Sequence, residues 1–182
     1  MRGPRAVAMA AVESFPPIAD ARARLLIVGS MPGEASLAAG RYYAHPRNAF
    51  WPILGEVLGF DAAAPYGART AALRAAGIAL WDVLQRCERA GSLDSAIVAA
   101  TAAANDFAGL LRRCPRIAAV LCNGATAHRE FTRRVLPGLG PRGAGLAVIR
   151  LPSTSPAHAG MARVQKRTVW RAAIAAGGIT CR

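Results

Sequence analysis

The chain has 182 residues, of which 53% are apolar, and its 23 Lys and Arg against 10 Asp and Glu give a formal net charge of +13. That length fits one domain with its own core, expected to span residues 1–182, and no apolar run nears the ~20 residues of a membrane-spanning helix. The charge favours a polyanionic partner, most commonly nucleic acid. Four scattered cysteines with no C-x-x-C pair argue against a zinc knuckle or an iron–sulfur cluster.

Arg2 and Arg5 precede an apolar stretch, Ala6 to Val12, that barely reaches the minimum length of a signal peptide's apolar region and stops at Glu13, with Pro16-Pro17 following. Residues 1–13 are therefore expected to form a flexible, cytoplasmic N-terminus. Leu25 to Gly29 (LLIVG) is the first strong strand. Phe50, Ile53, Leu54, Val57 and Leu58 then recur at helical spacing, and Gly59 is placed to end that helix. Ile78 to Trp81 is a weaker strand. Phe107, Leu110, Leu111 and Cys114 predict a helix, Ala119 to Cys122 a strand, and Ala127, Phe131 and Val135 another helix. Leu146 to Leu151 is the last strand. Met161 to Ala176 is the last helix, carrying Arg163, Arg167 and Arg171 along a face read as solvated. Short, nearly all-apolar strands alternating with helices predict a mostly parallel sheet covered on both sides. Ligands of such sheets bind beyond the carboxyl ends of the strands, which directs attention to the loops after Gly29, Trp81, Cys122 and Leu151.

Three of those regions hold unusual residues. Ser30-Met31-Pro32-Gly33, with Ser36 just beyond, forms a Pro-Gly turn that can expose backbone N–H groups. It lacks the glycine spacing of a dinucleotide site and the Lys of a phosphate-binding loop. Between the first strand and the first apolar helix, Tyr42, Tyr43, His45, Arg47, Asn48 and Trp51 crowd into one loop. Aromatic faces there suit stacking on a nucleobase and Arg suits phosphate; Asn48 suits a helix cap equally well. After the last strand, Ser153-Thr154-Ser155-Pro156, followed by His158, sets hydroxyls between prolines, either to meet phosphate oxygens or to cap the final helix. Asp82, at the end of a weaker strand, could accept from a base edge or cap a helix.

In this order, the segments from Ser14 through AHPRNAFW to Leu54, then GIALWDVLQRCERAGSLDSAI, then LPSTSPAHA, resemble the uracil-DNA glycosylase superfamily, most closely its hypoxanthine-DNA glycosylase branch. The resemblance covers roughly Ser14 to Met161. It implies a three-layer α/β/α sandwich around a four-stranded parallel sheet, and a cofactor-free, monomeric hydrolase of N-glycosidic bonds. Its partner would be DNA containing uracil or hypoxanthine, with the damaged nucleotide flipped out and an abasic site left behind. Met31 falls where most branches place a water-directing polar residue, and Ser153 falls where the best-known uracil enzymes have a histidine. The resemblance to the hypoxanthine branch then makes Asn48 the catalytic residue. Tyr43 becomes the stacking aromatic, and Ser30, Met31, Pro32, Gly33 and Asp82 become the base-binding set. Ser36, His45, Arg47, Ser153, Thr154, Ser155, Pro156 and His158 are expected at the DNA. Met31 and Ser153 leave open a weakly active or inactive binder of damaged or abasic DNA. The single lysine, Lys166, lies in the last helix, away from these motifs, which argues against a Schiff-base lyase.

Overall fold

The computed structural model describes Ala10 to Arg182; the expectation of a flexible terminus lies outside the described residues for positions 1–9. At Ala10–Glu13 it is replaced by a strand, β1, paired antiparallel with a later strand. In chain order there follow β2 (Leu25–Gly29), α1 (Glu34–Ala39), α2 (Phe50–Leu58), α3 (Tyr66–Ala75), β3 (Ile78–Asp82) and β4 (Leu84–Arg89). After these come β5 (Ala103–Ala104), α4 (Phe107–Arg113), β6 (Ala119–Asn123), α5 (Ala125–Glu130), α6 (Pro141–Ala144), β7 (Ala147–Leu151) and α7 (Arg163–Ala176).

The predicted parallel sheet is present, with four strands in the order β3-β2-β6-β7. Every residue of β2 and β3 is buried, the signature of a sheet covered on both faces. Apolar helix stripes supply the cover. Phe50 of α2 meets Trp170 of α7 at 6.0 Å between ring centroids, and Phe107 of α4 meets Phe131 at 5.3 Å. As read from its spacing, α2 stops at Gly59, whose φ of 79° is costly for any side chain.

A second, antiparallel sheet, β1-β4-β5, was not anticipated. It matters to function because β4 leads the chain from Asp82 into the segment 90–96. The Arg163–Arg171 face is not simply solvated. Arg163 and Arg167 both pair with Glu56 of α2, at 3.5 and 2.7 Å, and Arg171 donates to the carbonyl of Arg182. Among the described residues no helix is long and apolar enough to cross a membrane.

Candidate active site

The four parallel strands end around one cavity of about 380 Å³, near the lower bound of typical ligand pockets. From β2 the chain enters Ser30–Gly33, which is held from below by a buried cation. Arg89 is 2% exposed and donates from Nη2 to the Pro32 carbonyl (2.5 Å) and from Nε to the Gly91 carbonyl (2.8 Å). One guanidinium thus fixes two walls of the cavity to each other. The second wall delivers Asp94, whose Oδ1 accepts from the Ser30 hydroxyl at 2.7 Å.

Asp82, at the end of β3, is 3% exposed and faces Gly29. A Cβ at Gly29 would overlap Asp82 Oδ1 and lie 2.9 Å from Tyr43 Oη, so only glycine allows this approach. Asp82 Oδ2 and Tyr43 Oη are both buried with no protein partner among the described residues. Burial, reinforced by the charge of Asp94 and only partly opposed by Arg89, pushes the Asp82 carboxyl up to about 8. At neutral pH it therefore keeps its proton. Burial also raises Asp94, but the Ser30 hydrogen bond and Arg89 counter that rise. Both carboxyls are thus shifted upward, Asp82 by burial with little to oppose it and Asp94 by burial against the Ser30 hydrogen bond and Arg89.

Tyr43 takes a left-handed backbone conformation, φ 53°, which costs a bulky residue on the order of 1–3 kcal/mol. The surroundings impose it. Tyr42 is anchored by its hydroxyl to the Phe15 and Pro16 carbonyls (3.1 Å each), and its own carbonyl accepts from Trp51 Nε1 at 2.9 Å. The Tyr43 ring stacks on Phe50 at 3.9 Å and 18°, so only its other face can meet a ligand. Asn48 lines the cavity, and its Oδ1 accepts from the Phe50 N–H at 3.0 Å. The N-cap of α2 is Ala49, not Asn48 as its residue type suggested, but the bond to the Phe50 N–H still fixes the carboxamide's orientation at the cavity wall.

The loop after β7 is stiffened by its own hydroxyls. Ser153 Oγ accepts from the Ser155 N–H and Ser155 Oγ from the Ala157 N–H, both at 3.2 Å, which leaves each hydroxyl proton available to donate. Thr154 is locked by Asn123 at the end of β6: Asn123 Oδ1 accepts from its N–H and Asn123 Nδ2 donates to its Oγ1, both at 2.9 Å. The Thr154 carbonyl in turn accepts from the Ala49 N–H at 3.0 Å, beside Asn48. A bridge therefore runs from β6 through Thr154 to the loop that carries the carboxamide.

Comparison with known proteins fits this geometry. The sequence profile of the uracil DNA glycosylase superfamily matches residues 16–175. The chain belongs to that superfamily. A hypoxanthine DNA glycosylase of Methanosarcina barkeri is 38% identical over 113 residues, 62% of this chain and 70% of the relative. One from Methanosarcina acetivorans is 33% identical over 145 residues, 79% of this chain and 86% of the relative. A solution structure of a candidate uracil DNA glycosylase from M. acetivorans superposes with a TM-score of 0.77 at 30% identity, covering 93% of this chain and 99% of the other. The protein is accordingly a DNA glycosylase, a hydrolase of N-glycosidic bonds, and its substrate is DNA.

Of the residues expected at the base or the DNA, this glycosylase brings all but one to the cavity: Ser30–Gly33, Ser36, Tyr43, His45, Asn48, Asp82, Ser153–Pro156 and His158 line it. Arg47 is exposed and lies outside the lining. Ser36 and His45 are engaged with backbone: Ser36 Oγ accepts from the Ala44 N–H and His45 Nδ1 from the Arg47 N–H, both at 3.1 Å. Lys166 is not remote from the motifs, because α7 carries its Nζ to 2.7 Å from the His158 carbonyl, to which it donates. Sequence reasoning missed Ser92, Asp94 and Asn123, all in the lining. Asn123 follows the predicted strand directly and could have been found as Asp82 was, as a polar residue at a strand's carboxyl end. Asp94 sits in a segment with no apolar period and gives no such signal.

Proposed function

We propose that the protein is a monofunctional repair glycosylase that flips a deaminated base, hypoxanthine or uracil, into this cavity and hydrolyses its bond to deoxyribose. The observation that carries the reading is the pair of unpartnered atoms on the cavity floor, Asp82 Oδ2 and Tyr43 Oη. A protonated carboxyl offers a donor beside an acceptor, which matches the N–H and C=O edge common to hypoxanthine and uracil. Tyr43 stacks on the base with its free face. The relatives named as hypoxanthine DNA glycosylases favour the purine.

Rotating the nucleotide out of the duplex costs a few kcal/mol, least for a mispaired base. The hydroxyl protons of Ser153 and Ser155 hold flanking phosphate oxygens. Bond cleavage is dissociative and leaves positive charge on the sugar and negative charge on the base. Asp94, held at the cavity wall by the Ser30 hydroxyl, is the carboxyl placed to stabilise the sugar. No hydrogen bond from the N–H of Met31 or Gly33 occurs among the described residues, and these donors stabilise the departing base. Asn48, fixed by its bond to Phe50, orients the attacking water. Water adds to the anomeric carbon, its proton leaves to solvent, and the base departs with its electron pair. The product is an abasic site in an intact strand. Lys166 donates to the His158 carbonyl and does not line the cavity, which supports the monofunctional reading.

One gel tests this. Labelled duplexes with a single hypoxanthine, uracil, xanthine or mismatched thymine are incubated with the protein and split, half being treated with alkali. Cleavage of the hypoxanthine or uracil duplex only after alkali is the expected result. Strand breaks without alkali would refute the monofunctional reading, and intact hypoxanthine and uracil strands would refute the substrate class.

A further inference from the structure

A second cavity, of about 300 Å³, lies on the other side of the Tyr42–Asn48 loop and is walled in part by Arg41, Arg69, His45, Trp51 and Asn48. Arg69 lies 4.7 Å from the Trp51 ring centroid and 5.5 Å from that of Tyr66, while Arg41 lies 5.8 Å from the same Tyr66 ring. Neither guanidinium pairs with a carboxylate among the described residues, and no Asp or Glu lines the cavity. Arg69 Nε is buried and has no protein hydrogen-bond acceptor there. Packing over Trp51 accounts for one flat cation. It does not account for a second cation brought to the same aromatic platform, or for a donor buried without an acceptor. Burial and the repulsion of Arg41 both lower the basicity of Arg69, opposed by the Tyr66 hydroxyl. An oxyanion with several acceptor oxygens would remove both penalties, because guanidinium forks match phosphate geometry.

We infer that Arg41 and Arg69 form an anion site that takes a backbone phosphate of the DNA, gripped on the far side of the loop whose inner wall lines the base cavity. Only the source of the phosphate rests on the glycosylase reading; the site itself stands on the two guanidiniums. Asn48 belongs to the linings of both cavities. A phosphate seated there would therefore brace the carboxamide's loop from behind while the damaged nucleotide enters from the front.

The test uses the full chain and an undamaged duplex, so that it does not depend on base release. Arg41→Gln and Arg69→Met are compared with Arg112→Gln, an equal charge change at the end of α4, where the chain turns into the amino end of β6 and away from the cavities. Arg69→Met keeps the packing over Trp51, and Arg41→Gln alters only an exposed side chain, which covers the case in which the first variant fails to fold. Each site variant should weaken duplex binding roughly tenfold, as loss of a charge-assisted contact does. Each should also reduce the slope of log affinity against log salt by about 0.9, the signature of one lost phosphate. Arg112→Gln should do neither. In parallel, the Arg69 Nε–H nitrogen signal is followed by NMR during titration with inorganic phosphate and, separately, with the duplex. A shift with both supports the proposal. A shift with inorganic phosphate and none with duplex overturns DNA as the source. No shift with either, with an unchanged salt slope, overturns the site. A wild-type protein that passes these tests yet releases no base would sink the glycosylase reading and leave the anion site standing.

Discussion

Replacing Asp82 by Asn isolates the cost of the buried carboxyl. An aspartate ordinarily titrates near 3.8 and this one is pushed up to about 8, so the folded chain holds its proton about four powers of ten more tightly than the unfolded chain. At about 1.4 kcal/mol per tenfold, folding loses on the order of 5 kcal/mol between pH 4 and pH 8, an upper limit because a deeply buried group can relax toward water. The sign follows from linkage. Below pH 4 both states are protonated and the site costs nothing; as pH rises the unfolded chain ionises first, and stability falls until the folded carboxyl also ionises near 8. Asparagine has nearly the same shape and no proton to lose. Asp82→Asn should therefore match the wild type in urea denaturation near pH 4 and exceed it by several kcal/mol near pH 8, with the difference levelling off above. In the same variant base release should stop declining across pH 8, because the neutral form is the one that reads the base. A stability difference that is flat with pH would show that Asp82 is ionised throughout and would remove the donor from the cavity floor.

Asn48→Ala should lower single-turnover base release by at least ~100-fold and leave affinity for abasic DNA nearly unchanged; full activity would reassign the water-orienting role. Asp94→Asn should slow base release by roughly 10–100-fold while tightening binding to undamaged duplex, since one negative charge leaves the DNA-facing wall. Slower release with weaker binding would point to a collapsed wall instead. Asn123→Ala releases Thr154 and should cost about 1–3 kcal/mol of stability together with a loss of both DNA affinity and rate. Loss of stability alone would limit Asn123 to the scaffold.

Much of this was legible in the sequence because the parallel strands bury both faces. Leu25–Gly29, Ile78–Trp81 and Ala119–Cys122 read as strands from composition alone, and the fold then dictates that their carboxyl ends converge, which brings Tyr43, Asn48, Asp82 and the Ser153–Ser155 loop to one cavity. Strand β4 was illegible for the opposite reason. Its exposed Gln85, Arg86 and Glu88 surround buried Leu84, Cys87 and Arg89, and a strand that buries an arginine follows no hydrophobic pattern. With β4 went the path to Asp94 and the clamp of Arg89 on Pro32. Long-range pairings were equally hidden: helical spacing cannot show that Arg163 and Arg167 share Glu56, more than a hundred residues away in sequence.

Four buried side-chain polar atoms have no protein partner among the described residues: Tyr43 Oη, Asp82 Oδ2, Arg89 Nη1 and Arg69 Nε. Each such atom costs about 1–3 kcal/mol, so a scattered set would indicate poor packing. These are not scattered. Two form the floor of the base cavity, the third belongs to the cation clamped beneath its walls, and the fourth lies in the cavity across the Tyr42–Asn48 loop. The left-handed Tyr43 is in the same loop and adds its own strain. Stability is thus given up at one end of the molecule, while β2 and the part of β3 before Asp82 remain apolar and buried. Unsatisfied donors and acceptors held rigidly at one place already carry the desolvation cost that a binding site in water would meet only when its ligand arrived. In the proposed mechanism a flipped base and its neighbouring phosphate would recover that cost on entry, while an undamaged base that stays stacked in the duplex would not, so the polar groups that weaken the fold would also be the ones that distinguish the substrate.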